Sequence, residues 1–141
     1  MQDRHRAVWE WLKGYADTQN IEIMFGVVES ENEMICLIPT AERISSSYIN
    51  GVNRWQMDFL VRQIKRISTG DAENNIENMC DLSRLYAWIE NAGKTGRFPD
   101  LGERCFDYQI VVEERLPMIG KINNNYTGMY QFSFSVIHNR R

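Results

Sequence analysis

The sequence predicts an α+β domain with a mixed or antiparallel β-sheet, on which an N-terminal helix and one long central helix pack. Three observations carry that expectation. Two segments repeat apolar residues at helical spacing, several others alternate apolar and polar residues, and an Asn-Gly pair sits between two of the alternating runs.

The first helix is expected over residues 2–17, where Val8, Trp11, Leu12 and Tyr15 form one stripe that must dock on a core. Two short β-rich runs follow, 21–28 and 33–39, around the polar stretch 29–32; they read as a hairpin or meander, with Pro39 ending the second strand. From about 44 to 67 the chain is extended, and Asn50-Gly51 marks a second hairpin with a type I′ turn. In its second arm Trp55, Met57, Phe59 and Val61 fall on one face, with Arg54, Gln56, Asp58 and Arg62 on the other. That period of two places the aromatic stripe in the core, with an interface as the rarer alternative.

Ser68, Thr69, Gly70 and Asp71 make a turn able to cap a second helix, whose stripe is Ile76, Met79, Leu82, Leu85, Tyr86 and Ile89 and whose end is expected at 91–93. Gly93, Gly96, Pro99 and Gly102 then predict a structured loop. Two strands close the chain, near 106–113 and 126–138. In the last, Tyr130, Phe132, Phe134 and Val136 alternate with Gln131, Ser133 and Ser135. The predicted order is one helix, four strands, one helix and two strands, with no internal repeat or linker. At 141 residues this is the size of a single domain, 1–141.

Composition narrows the function. A net charge of −3 gives no global attraction to nucleic acid or anionic membranes, so neither sequence-specific nucleic-acid binding nor membrane association is expected. The first fifteen residues scatter charges through any apolar stretch and lack a secretory core, which points to a protein kept in the cytoplasm. Cys36, Cys80 and Cys105 are odd in number and widely spaced, the pattern of reduced buried thiols. Four Trp, six Tyr and six Phe exceed what a small monomer needs and suit an assembling protein.

Catalytic chemistry finds few residues to use. Only His5 and His138 could serve as bases, each near a terminus, and His138 reads as a strand-end or surface histidine. No CxxC pair, HExxH or aspartate-rich loop offers a metal site, and Gly93-Lys94-Thr95-Gly96 lacks the spacing of a phosphate loop. Arg62, Lys65 and Arg66, with Arg140 and Arg141, read as solvated basic faces, with a subunit interface as the rarer alternative. No catalytic, metal or cofactor residues are assigned, and the expectation is a protein that is not an enzyme.

Several segments, in order, resemble a family of small proteins from the tail regions of phages and prophages of Gram-positive bacteria, the minor capsid or tail terminator proteins. Tyr48, Asn50, Gly51, Arg54 and Phe59 carry the first likeness; Asn75, Glu77, Asn78 and Trp88 the second; Gly96, Pro99, Asp100, Leu101, Gly102, Tyr130 and Gln131 the rest. The likeness spans about residues 38–138. It departs at Met79-Cys80-Asp81, where members often carry Ser-Gly-aromatic, and is loose over 105–121. It implies a structural subunit that forms a homo-oligomeric, hexameric ring capping the head-proximal end of a tail tube. Its partners would be the tube protein and sheath or neck proteins, and it would be found in the host cytoplasm during assembly and then in the particle. Alternatives are the cap or collar of a phage-tail-like bacteriocin and a monomeric tail-assembly adaptor. Protruding turns suit such contacts, which selects Tyr48, Asn50, Gly51, Arg54, Pro99, Asp100 and Leu101 as the candidate subunit or tube interface.

Overall fold

The computed structural model describes residues 3–26, 35–66, 72–113, 118–122 and 127–141. In chain order the elements are α1 (Arg4–Thr18), β1 (Ile23–Phe25), β2 (Ile35–Ser47), β3 (Asn53–Arg66), α2 (Ala72–Thr95), β4 (Cys105–Val112), β5 (Met118–Ile122) and β6 (Thr127–Arg140). The class is α+β, with a mixed sheet as expected.

Helix α1 starts where Asp3 Oδ1 accepts hydrogen bonds from the backbone N–H groups of His5 and Arg6, at 3.0 and 3.4 Å, satisfying donors that the first turn cannot. It ends at a left-handed Asn20 (φ 56°), with Ile21 N–H donating to Ala16 O at 2.9 Å and Asn20 N–H to Asp17 O at 3.3 Å. Helix α2 ends in the same way at Gly96 (φ 78°), where Arg97 N–H reaches Ala92 O at 2.9 Å. Gly93 therefore belongs to the helix and not to the loop that its glycine-rich neighbourhood suggested. The capping turn expected at 68–71 and the side chains of Ile76 and Met79 lie outside the described residues.

The strands lie in the order β1-β2-β3-β6-β4, and β5 also pairs with β6. Since β4 and β5 both run antiparallel to β6, pairing with 134–140 and 128–131 respectively, they line the same edge of it one after the other. Strand β5 was not foreseen. The hairpin or meander expected of the first two runs is instead a parallel pair, Ile23↔Ile35 to Phe25↔Leu37. Apolar patterning reports burial and is silent on strand direction.

Pro39 does not end β2. The Leu37 carbonyl accepts from Gly26 N–H on the β1 side, so two residues on, the Pro39 nitrogen faces the same outer edge and costs no bond to β3. A register shift between Pro39 and Ala41 lets the strand continue to Ser47. The runs expected as two strands are thus one, which leaves three strands before α2 where four were predicted.

The β2–β3 hairpin forms as predicted, around a different turn. Asn50 is not in the left-handed region, so the turn is not type I′. Ile49, Asn50 and Gly51 form a three-residue loop closed by Gly51 N–H to Tyr48 O (3.2 Å) and Tyr48 N–H to Val52 O (2.9 Å), with Gly51 at φ 84°. A side chain at Gly51 would meet open space, so substitution there costs backbone strain alone. Gly51→Val is expected to lose about 1–3 kcal/mol and Gly51→Asn distinctly less, measured by thermal unfolding. Equal melting temperatures for the two variants would contradict the assignment.

Both helices cover one face of the sheet. Val8, Leu12 and Ala16 of α1 and Leu82, Leu85 and Ile89 of α2 meet Met57, Phe59, Val61, Tyr130, Phe132, Phe134 and Val136 in one cluster. Trp88 joins the helices, with its ring 4.7 Å from that of Trp11 and stacked at 4.9 Å on Tyr15. Cys36 and Cys105 are buried. The sheet's other face carries the polar alternates.

A candidate assembly surface at one end of the sheet

Registers bring three chain segments to one end of the sheet. Asn53 of β3 and Cys105 of β4 both pair with Arg140 of β6, so the hairpin turn, the entry to β4 and the chain's last residues are neighbours. A cleft of about 490 Å3 opens there, lined by Asn50, Gly51, Val52, Phe106 and Arg141. The Arg141 guanidinium lies 4.7 Å from the Phe106 ring centroid.

Of the predicted interface residues, Tyr48, Asn50 and Gly51 lie exposed on the turn. Asn50 Oδ1 accepts from Val52 N–H at 3.2 Å, which fixes the turn's shape. Ile49, not singled out from the sequence, is the most exposed large apolar residue of the tip at 108 %. Its signal was its position: an apolar residue placed directly before Asn-Gly in a turn has no core to enter.

Arg54 is not a free surface cation. One Nη donates to Asp107 O at 3.1 Å and to Asn139 Oδ1 at 3.0 Å, the other to Gln109 Oε1 at 3.4 Å, so it staples β3 to β6 and β4. Asp107 takes φ 55° at an irregularity of β4 that aims its carbonyl inward. Pro99 and Leu101 are buried, and Leu101 belongs to the core cluster, so they anchor their loop. The loop is further tied by Phe98 stacking on Tyr108 at 5.5 Å and by Leu101 N–H donating to the Tyr108 hydroxyl at 3.3 Å. Burial pushes the Tyr108 phenol up from its ordinary value. Asp100 is exposed and its carboxylate accepts from Gly102 N–H at 3.0 Å.

The outer strand of the hairpin is gripped from both faces. Residues 40–47 of β2 are exposed and have no neighbour on their outer side among the described residues. Arg43 pairs with Asp58 on the open face, and Asp58 also accepts from Ser135 Oγ (2.6 Å) and Gln56 Nε2 (2.8 Å). Partial burial pushes the Asp58 carboxyl up, but these hydrogen bonds and the Arg43 charge outweigh it and hold the group below the usual carboxylate range. On the helix face Glu42 pairs with Arg140, whose guanidinium also lies 4.2 Å from the Trp55 ring centroid. Adjacent opposite charges on a strand necessarily point to opposite faces, the sequence signal for this double grip.

His138, expected at a strand end or the surface, does lie near the end of β6 but is buried, and Arg140, expected on a solvated face, is pinned beside it. His138 Nε2 accepts from Arg140 Nε at 2.8 Å, so the nitrogen that would act as a base is occupied. His5 lies half-buried with its ring 5.9 Å from that of Phe59. Among the described residues no group of three or more His, Cys, Asp or Glu could hold a metal ion, and no helix is long and apolar enough to cross a membrane. At this end of the sheet an exposed turn tip carrying Tyr48 and Ile49 stands beside the cleft.

In comparisons with known proteins, no family model matches the chain, and no curated protein matches it.

Proposed function

We propose that the chain is a non-enzymatic structural subunit, a tail terminator that forms a hexameric ring on the head-proximal end of a phage tail tube and joins it to the neck. The observation that carries this reading is the exposed turn Tyr48-Ile49-Asn50-Gly51, which lies within the first of the segments that together resemble the terminator family and ends a hairpin clamped on both faces. A closed ring of identical copies needs one surface complementary to a different surface of its neighbour. The rigid apolar tip is suited to be one of those two surfaces.

Particles assembled without the protein are then expected to carry tubes of uncontrolled length or tubes that fail to join heads, seen by negative-stain microscopy. Ile49→Asp, on an exposed position, should leave circular dichroism unchanged and stability within about 0.5 kcal/mol of wild type while weakening assembly. Arg54→Glu should destabilise the fold itself, because it removes the staple to Asp107 and Asn139. Uniform tails joined to heads in the deletion strain would sink the terminator assignment and favour the monomeric adaptor. Headless particles whose tube length depends on the protein would identify the bacteriocin cap.

A further inference from the structure

The chain Glu42, Arg140, His138 spans β2 and β6 and is built from groups of opposite tolerance for protons. In neutral His138 the accepting nitrogen is Nε2, since Arg140 Nε donates to it at 2.8 Å, so the ring proton is assigned to Nδ1, a buried atom without a hydrogen-bond partner among the described residues. A second proton can therefore enter only at Nε2, where it meets a permanently charged guanidinium. The charges acting on the imidazole are Arg140 on its own strand, Arg4 from α1, Glu42 from β2 and, from the opposite face of the sheet, Arg54 of β3, and the Tyr108 ring of β4 stacks on it at 5.9 Å. Three are cations and only Glu42 favours the protonated form.

We propose that Glu42, Arg140 and His138 form an acid-released catch on the outer strand of the β2–β3 hairpin. A proton taken up at His138 Nε2 expels the Arg140 donor, and the guanidinium leaves its seat between His138, Glu42 and the Trp55 ring. Residues 41–47 then lose their side-chain tie on the helix face and keep the backbone ladder to β3, the Arg43–Asp58 pair and the Ser45 hydroxyl donating to Arg54 O. The catch acts on the hairpin whose tip carries the proposed contacts, but it is a property of the isolated chain and stands whether or not a ring forms.

Burial first, then the Arg140 and Arg4 charges, pull His138 down to about 4. The sign follows: above pH 6.5 both the closed and the released hairpin hold a neutral imidazole, and between 6.5 and about 4 only the released form takes the proton, so acid favours release. With an ordinary imidazole in the released form, the opening equilibrium should rise roughly 30-fold from pH 7.5 to pH 5.

Amide hydrogen exchange on the full chain, corrected for the intrinsic pH dependence of exchange, reads that equilibrium at residues 41–56, and imidazole nitrogen shifts read His138 directly. Expected are a His138 midpoint well below 6 and a loss of protection of that size. In Glu42→Gln, protection of 41–56 should already be low at pH 7.5 and change less than threefold down to pH 5, with Phe132–Val136 unaffected at pH 7.5. His138→Asn, if it folds, should flatten the wild-type profile. A His138 midpoint near 6.5, pH-independent protection of the wild-type hairpin, or a Glu42→Gln variant with the wild-type profile would each overturn the catch. So would a Glu42→Gln variant in which Phe132–Val136 loses protection along with the hairpin.

Discussion

Phe134→Ala should cost about 3–5 kcal/mol, the largest single loss expected in this protein, and leave it only partly folded at room temperature. Phe134 is fully buried at the centre of β6, stacked on Phe59 with ring centroids 5.3 Å apart and 6.3 Å from the Trp11 ring of α1. Truncation removes the apolar area and leaves a cavity walled by two strands and a helix. Those walls cannot collapse inward, because each is fixed by its own backbone hydrogen bonds. Phe134→Leu keeps apolar volume in the stack and should recover most of the loss. Urea unfolding of the two variants measures the difference. A loss below about 1 kcal/mol for the alanine variant would mean that the aromatic stack is not the keystone of the core.

Gly93→Val should cost about 1–3 kcal/mol through overpacking at the seam between α2 and β4. A Cβ at Gly93 would stand 3.1 Å from the Cβ of Ile110, tighter than ordinary contact, and at an ordinary 3.6 Å from its carbonyl oxygen, so the seam must give by a few tenths of an ångström for the Cβ alone. Two branch methyls add to this, and a β-branched residue also fits a helix less well. Gly93→Ala separates the two effects. It gains up to about 1 kcal/mol of helix propensity against a small displacement of Ile110, and should come out near neutral. Thermal unfolding decides it: a valine variant as stable as wild type would show that the seam is loose.

The same glycine marks the boundary between what sequence and tertiary structure decide. The sequence by itself determined the α+β class, the two helices, the Asn-Gly hairpin and the greater part of the core, though not Leu101 or the core residues of β1 and the start of β2. It could do so because burial imposes a period that is local: Met57, Phe59 and Val61, and Tyr130, Phe132, Phe134 and Val136, declare their common face in any context where a strand forms. Tertiary structure alone decided where neighbours approach. Gly93 reads as a loop residue until Ile110 is placed opposite it. Pro39 reads as a strand end until its nitrogen is found on the outer edge of β2. The parallel pairing of β1 with β2 likewise has no local signature.

The candidate surface divides along the same line. The turn at Tyr48, Asn50 and Gly51 could be read from the chain, because turn chemistry is local. The anchoring of Pro99 and Leu101, the stapling role of Arg54 and the burial of His138 could not. Each depends on a partner on another strand or helix, such as Asp107, Asn139, Tyr108 or Arg140, whose distance in sequence bears no relation to its distance in space. A polar side chain's role is set by what the fold places within about 3 Å of it, and only the register of β3, β6 and β4 sets that.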